Sequence, residues 1–290
     1  MHSRLSTIHF LLRRKTLLVT LRIEVADWVA KTIAPKFAKD TEKLYLTHNA
    51  GFFSCLSVAL NSVVDNPPRS ISARFGMRLY KEYLFSNPWN HYFESSDSAQ
   101  RRKSHFPEVE AINPSILDWW WCRYSALPLS EFHEVIDTHF YPSQKVLDQV
   151  EMLKNQHGIK LTETIGIHYR GTDKVEEFSV TDLSNYINEV EQILINEPNH
   201  KILLQTDDFS AYNIFYERFS ENMISIDPPT KSTSGVGLHY LGKKNPVKET
   251  INYFATVLIL SQCDYLITHT GNGALWEHLY RGNSNRVTQF

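Results

Sequence analysis

The C-terminal half of the chain alternates short apolar runs with amphipathic stretches, and this alternation constrains the fold more than any other sequence feature. Apolar runs end near residues 169, 205, 226 and 268, and between them apolar side chains recur at helical spacing. Strands that alternate with helices in this way form a parallel sheet covered on both faces. Ligands of such a sheet bind at the carboxyl ends of its strands.

The N-terminal half is less regular but contains the same order once. Residues 44–47 predict a strand, a loop follows at 48–54, residues 55–64 predict an apolar helix, and 70–74 predict a second strand. We therefore expect two Rossmann-like α/β lobes that face each other across a cleft, an N-terminal lobe at 1–155 and a C-terminal lobe at 156–290. One larger domain with a long N-terminal extension is the alternative.

Composition argues against several classes of protein. The 290 residues carry a formal net charge of −2, which predicts no general attraction to nucleic acid or to an anionic membrane. The three cysteines lie far apart, so we expect small buried hydrophobes rather than disulfides or a zinc site. The apolar runs within residues 5–33 are too short for a membrane helix, and no Asn-X-Ser/Thr sequon occurs. We expect an amphipathic helix there, no integral membrane segment, and a cytoplasmic location.

Polar side chains crowd the end of the strand in the run IGIHYRGTDK, residues 165–174. Arg170 can offer a bidentate fork to a phosphate, and Lys174 can add a point charge. Asp173 can orient either cation, and Gly171 permits a close backbone approach. A solvated turn with one ion pair is the alternative. Because the charges directly follow an apolar strand, the pattern favours an anion site.

The next strand ends in the adjacent carboxylates Asp207 and Asp208. These side chains can contact ribose hydroxyls, bind a metal, or cap the following helix. A cap by Asp208, directly before Phe209, is at least as well supported as a ligand role. Adjacent carboxylates point in different directions and the sequence shows no third ligand, so we expect no metal site.

Two strand–loop–helix junctions carry glycines: residues 48–54 read HNAGFFS and residues 268–274 read THTGNGA. Backbone N–H groups at a helix start bind anions, so one such junction on each lobe would clamp a diphosphate. Each junction taken alone is also compatible with an ordinary turn. Glu277 and His278, on the helical turn that follows, can be interpreted as surface residues.

Several of these segments resemble α1,6-fucosyltransferases and, more loosely, nodulation and protein O-fucosyltransferases. HYRGTDK at 168–174 resembles their HxRxTDK-type segment, and LLQTDDFS at 203–210 resembles their TDD-x-S strand end. GLH at 237–239 resembles a short loop of the family, and LSQCDYLI at 260–267 resembles its LSQADFLV strand. The order and spacing agree over roughly residues 140–290.

The resemblance implies an inverting, metal-independent hexosyltransferase of the GT-B type. Such an enzyme moves fucose from GDP-fucose, its donor substrate, to a glycan or glycoconjugate acceptor without a cofactor. It implies that Arg170 holds the β-phosphate, that His168 lies beside the guanine, and that the acceptor base is Glu176 or Glu177. The predicted catalytic residues are Arg170, Lys174, Glu176 and Glu177. The predicted substrate-binding residues are His168, Asp173, Asn49, Gly51, Phe52, Asp207, Asp208, Thr270, Gly271 and Asn272.

The sequence departs from the family pattern at two places. The family's loop serines correspond to Gly271 and Asn272, and its guanine-binding acidic residue corresponds to Thr256 or is displaced to Glu249. Which carboxylate after Lys174 serves as the base stays open. Two other functions also stay open: a noncatalytic nucleotide- or glycan-binding protein on the same fold, and a metal-dependent transferase of another nucleotide sugar.

Overall fold

The first two strands within the described residues form a small parallel pair. The structure is a computed structural model that describes residues 43–65, 68–83, 86–94, 123–171, 182–224 and 245–290. Strands β1 (Lys43–Tyr45) and β2 (Ser70–Ser72) lie side by side and parallel, and helix α1 (Phe52–Asp65) connects them. Parallel neighbours require a crossover of this kind. The predicted order of strand, loop, helix and strand is confirmed, with both strands ending earlier than expected.

Helices and short 3-10 turns follow this pair. The helices are α2 (Trp89–Tyr92), α3 (His133–His139) and α4 (Gln144–His157), and the 3-10 turns lie at Arg78–Tyr80, Tyr124–Ala126, Leu129–Phe132 and Leu161–Glu163. Helix α4 ends at Gly158, whose φ of 62° is the left-handed conformation that glycine adopts easily.

The C-terminal half forms the predicted parallel sheet. Its strands are β3 (Thr164–Tyr169), β4 (Lys201–Thr206), β5 (Met223–Ile224), β6 (Tyr265–Thr268) and β7 (Val287–Gln289), in the spatial order β5-β4-β3-β6-β7. Strand β3 is buried along its whole length, as a central parallel strand should be. The sequence does not predict β7, because Val-Thr-Gln forms no apolar run.

Four helices accompany this sheet: α5 (Leu183–Asn196), α6 (Phe209–Phe219), α7 (Pro246–Gln262) and α8 (Asn272–Arg281). Three of them begin with a side-chain cap of the expected kind. The Asp182 carboxylate accepts from the Ser184 amide, and the Asn245 side chain accepts from the Lys248 amide with Pro246 in the first turn. Asp208 caps α6 in the same way.

The strand order places a topological switch point between β3 and β6. The chain moves from β3 to β4 and β5 on one side and then returns to β6 and β7 on the other. Strand β3 therefore pairs with both β4 and β6. The carboxyl ends of these three strands meet at one edge of the sheet, where open α/β sheets hold their ligands.

One hydrophobic cluster spans both halves of the chain. It contains Phe52 and Leu60 of α1, Val146 of α4, Phe254 of α7 and Trp276 of α8. A second cluster fills the space between the sheet, α5 and α6. The mixed α/β architecture with parallel sheets is thereby confirmed, and the division into lobes at residue 155 stays a prediction.

Two minor expectations can be compared with the described residues. Cys55 and Cys263 are buried, as predicted, and burial raises the pKa of the Cys55 thiol to about 12. Cys122 lies outside the described residues. Within the described ranges, none of the helices combines the length and apolar character that crossing a bilayer requires.

Candidate functional site

The carboxyl edge of the large sheet brings together side chains from three strands. His168 lies near the end of β3, Arg170 follows that strand, Asp207 follows β4, and Thr268 ends β6. The parallel register pairs His168 with Gln205 and Tyr169 with Thr206. Residues that are distant in the sequence are thus collected at the predicted edge.

A buried carboxylate connects the central strand to helix α8. His168 Nδ1 lies 2.6 Å from Glu277 Oε1, and the Thr268 hydroxyl donates to Glu277 Oε2 at 2.9 Å. All three residues are buried. His269 packs against this group, with its Nδ1 at 3.2 Å from the His168 carbonyl and its ring edge-on to the His168 ring.

The interpretation of Glu277 and His278 as surface residues is wrong. Glu277 is 0% and His278 1% exposed, because α8 packs against α7 and against α1 and α3 of the N-terminal half. His278 Nδ1 bonds to the Ala274 carbonyl at 2.9 Å, and its ring meets Tyr124 edge-on. Burial lowers the pKa of His278. Glu277 and His278 are therefore interior residues of this helix.

Arg170 and Asp207 form an ion pair at the same edge. Arg170 Nε lies 3.6 Å from Asp207 Oδ2, and the Gly171 amide donates to Asp207 Oδ1 at 3.1 Å. Asp207 thus holds both the cation and the backbone that follows it, which is the orienting role that the sequence assigned to Asp173. A Cβ on Gly171 would lie 2.7 Å from Asp208 Oδ2, so a larger residue there would displace the Asp208 carboxylate.

The electrostatic surroundings of this edge are acidic. Burial raises the pKa of the Tyr169 hydroxyl, and the nearby carboxylates of Asp208, Asp182 and Asp207 raise it further. Arg170 is therefore placed where neighbouring negative charge stabilises its own charge. A phosphate bound here would meet a guanidinium already held in position.

Asp208 serves as the cap of α6. Its Oδ1 accepts from the Ser210 amide at 2.8 Å and from the Ala211 amide at 3.3 Å. This confirms the cap interpretation. Among the residues that the structure describes, no group of three or more His, Cys, Asp or Glu side chains could hold a metal ion.

The second glycine junction is tied to the N-terminal half by Tyr124. The Gly271 amide donates to the Tyr124 hydroxyl at 2.8 Å, and this hydroxyl is 3.0 Å from the Gly271 carbonyl. The Thr270 hydroxyl lies 3.1 Å from the Phe290 carbonyl and 3.0 Å from Gln289 Nε2. Of the three predicted residues in this loop, Asn272 begins α8 and belongs to the helix start that an anion would meet.

The first glycine junction is built mainly from backbone. The Asn49 side chain bridges the Thr47 carbonyl at 3.0 Å and the Arg78 amide at 3.2 Å. A Cβ on Gly51 would meet nothing within 4 Å, so this backbone borders open space. The Phe52 ring is buried and meets Tyr92 edge-on at 4.9 Å. What this junction can offer a ligand is the backbone around Gly51 and Phe52.

Tyr253 connects the two junctions, and the sequence pattern does not indicate it. Its ring centroid lies 5.5 Å from that of Phe53 in α1 and 6.4 Å from that of His168. A Cβ on Gly273 would lie 3.4 Å from the Tyr253 hydroxyl. The two positions of α7 that the family pattern singled out are engaged locally: Thr256 donates to the Asn252 carbonyl, and Glu249 accepts from the Asn245 amide.

Several predicted residues cannot be placed. Asp173, Lys174, Glu176 and Glu177 lie outside the described residues, as does the GLH segment at 237–239. The predicted base and the second cation therefore remain predictions. The residues that sequence reasoning missed, Glu277, Tyr124 and Tyr253, contact the site from positions far away along the chain.

A parallel sheet with polar side chains at its switch point defines a Rossmann-like α/β protein, and solved structures share this fold. NodZ alpha-1,6-fucosyltransferase soaked with GDP-fucose gives a TM-score of 0.51 at 14% identity, over 82% of this chain and 92% of that one. Fucosyltransferase NodZ from Bradyrhizobium gives 0.50 at 14% identity, over 82% and 92%. NodZ co-crystallised with GDP gives 0.50 at 14% identity, over 83% and 91%. The chain thus has a NodZ-like fold. No family model and no curated protein matches the sequence.

Proposed function

We propose that this protein is an inverting glycosyltransferase that moves fucose from GDP-fucose to a hydroxyl group of a glycan. The observation that carries the proposal is the position of Arg170, paired with Asp207 at the switch point of a NodZ-like fold. His168 and the start of α8 lie at the same edge. NodZ itself has been crystallised with GDP and soaked with GDP-fucose.

The proposed reaction is a single displacement at the anomeric carbon of fucose. The acceptor oxygen forms a bond to this carbon, while the bond from the carbon to the β-phosphate oxygen breaks and GDP leaves. Glu176 or Glu177 is proposed to take the proton of the acceptor hydroxyl. Negative charge then accumulates on the diphosphate, and its stabilisation is the main task of the site.

Arg170 and the helix start perform this stabilisation in our proposal, without a metal. The Arg170 guanidinium, whose Nε lies 3.6 Å from Asp207 Oδ2, would form the fork to the β-phosphate. The positive end of the α8 dipole adds to this field. Because both groups are in place before the reaction, little reorganisation is needed as the charge develops.

The two-lobed arrangement is part of the same proposal. Residues 156–290 would bind the donor, and residues 1–155 would form the acceptor side. The contacts from Phe53 through Tyr253 to His168 support this assignment, since they connect the first glycine junction with the proposed nucleotide site. The backbone at Gly51 and Phe52 would then approach the diphosphate from the N-terminal side.

Nucleotide binding and transfer by Arg170 variants test the proposal. A ligand present at 100 times its dissociation constant stabilises a protein by about 2.7 kcal/mol. We expect GDP, but not UDP or ADP, to raise the melting temperature of the wild type. Arg170→Ala should lose most of that shift and at least about 100-fold in transfer from GDP-fucose. Arg170→Lys should recover little, because lysine cannot form the bidentate fork.

Arg218→Ala is the matched control. Arg218 also forms an ion pair with a carboxylate, Glu191, but this pair lies between α5 and α6 and away from the strand ends. The control should bind GDP and transfer fucose like the wild type. Near wild-type turnover by Arg170→Ala, or the absence of any GDP response in the wild type, would refute the proposed function. Transfer that requires a divalent cation would refute its metal independence.

A further inference from the structure

We propose that Glu277 is a positioning residue that fixes the ring of His168, with Nδ1 bound to the carboxylate and Nε2 left to meet the nucleotide. The inference rests on the proposed function, because it gives the His168 ring a ligand to face. The short Glu277–His168 contact, its burial and the crowded surroundings of the ring carry it.

The hydrogen-bond network assigns the proton on His168. The Thr268 hydroxyl donates to Glu277 Oε2 at 2.9 Å, and Nδ1 of His168 lies 2.6 Å from Oε1. An ionised carboxylate only accepts, so Nδ1 must be the donor in its bond. A carboxylate without a protein donor would be costly at 0% exposure, and these two donors satisfy it. The bond at Nδ1 thereby sets the role and the direction of the other ring nitrogen, Nε2, as in carboxylate–histidine pairs that orient ligands.

The ring is also confined sterically. A Cβ on Gly273 would lie 3.0 Å from His168 Cε1, so α8 approaches the ring as closely as a glycine allows. The His269 ring lies edge-on to it with centroids 4.7 Å apart, and Tyr253 faces it from α7. Packing therefore limits the ring's movement, and the bond to Glu277 selects which nitrogen faces which way.

The location gives this arrangement a functional meaning. His168 lies two positions before Arg170, and Glu277 belongs to the helix whose first residue is Asn272. A shift of the His168 ring would displace Nε2, the atom that we propose the nucleotide contacts next to Arg170. Glu277 would thus act on GDP through His168, without touching the nucleotide itself.

The same sheet contains a matched control at its opposite edge. His200 Nε2 lies 3.0 Å from Asp264 Oδ2. His200 directly precedes β4 and Asp264 directly precedes β6, so both lie at the amino ends of these strands. Asp264→Asn therefore removes a carboxylate from a histidine far from the proposed nucleotide site. Glu277→Gln does the same at the strand ends where the nucleotide is proposed to bind.

The experiment measures GDP affinity and the state of the His168 ring. We expect Glu277→Gln to weaken GDP binding about tenfold, the lower end of the loss seen when a metal-ligating histidine loses its orienting partner. Asp264→Asn should bind GDP like the wild type. In a His168→Ala background, Glu277→Gln should cause no further loss, since the effect passes through His168. Nitrogen NMR of the wild type should show a protonated Nδ1 on His168, and the Gln variant should show a mixed or altered state.

The outcomes separate this inference from the proposed function. Wild-type affinity in Glu277→Gln, or an equal further loss in the His168→Ala background, would overturn the positioning role. A wild-type His168 that carries no proton on Nδ1 would overturn it even if the Gln variant did not fold. If the wild type ignores GDP while the NMR result holds, the proposed function fails and the fixed orientation of His168 stands.

Discussion

The two parallel sheets that the structure describes hold their carboxyl ends in different ways. At the end of the large sheet, carboxylates hold the polar side chains: Glu277 bonds to His168, and Asp207 pairs with Arg170. Beyond the carboxyl end of the small pair, the cation Lys81 is 6% exposed, and its Nζ donates to the Arg74 carbonyl at 2.7 Å. The same strand–loop–helix pattern thus yields one edge held by side-chain carboxylates and another held by backbone contacts.

Close backbone packing is the main feature of the second edge. A Cβ on Gly76 would lie 2.7 Å from the Leu46 carbonyl oxygen and 2.8 Å from that of His48. Met77 follows with a φ of 51°, and its amide donates to the His48 carbonyl at 2.9 Å. Residues 76–78 therefore clamp the first glycine junction from outside, and its shape depends on this clamp.

Gly76→Ala should have the largest effect, and it tests the close backbone packing at the second edge. The added methyl group meets backbone oxygens that cannot rotate away, so we expect the free energy of unfolding to fall by about 3 kcal/mol. Gly51→Ala, in the same junction, is the control and should change it by less than about 0.5 kcal/mol, because a Cβ there meets nothing within 4 Å. Urea unfolding measures both. A tolerated Gly76→Ala would show that the clamp is looser than its contacts indicate.

The charge at the second edge gives a pH-dependent prediction. Burial, together with the smaller effect of the neighbouring charges of Arg78 and Arg74, lowers the pKa of Lys81 from its ordinary 10.5 to about 8. Between these two values the unfolded chain holds a proton that the folded chain has released. The free energy of unfolding contributed by Lys81 therefore rises with pH across this window, and below it the buried charge destabilises the fold.

Lys81→Met should remove this dependence. After a discount for solvent screening, we expect the variant to be more stable than the wild type at pH 7 by about 1–2 kcal/mol. That advantage should vanish as the pH approaches 10.5. Differences between urea unfolding curves at several pH values measure it, since other titrating groups cancel between the two proteins. A constant difference at every pH would show that Lys81 keeps its ordinary pKa.

The features that the sequence predicts are local, and those that it misses join distant segments. Strands β1 to β6, the helix α6 and the Asp208 cap follow from neighbouring residues, because periodicity and capping act within a few positions. Glu277 contacts His168 across 109 positions, and Tyr124 reaches Gly271 across 147. No local pattern separates a buried Glu277 from an exposed one. Only the assembled sheet edge shows that a carboxylate belongs there.

The smallest expected effect concerns two adjacent carboxylates at the edge of the large sheet: Asp207 pairs with Arg170, whereas Asp208 caps α6. Asp208→Ala should lower the free energy of unfolding by about 1 kcal/mol, whereas Asp208→Asn should change it little, because asparagine caps a helix about as well. If capping is its whole task, the Asn variant should also carry out the proposed fucose transfer at the wild-type rate. A large loss of transfer in that variant, with stability unchanged, would instead assign Asp208 to the ligand. It would then be the charge of Asp208, alongside that of Asp207, that the reaction requires.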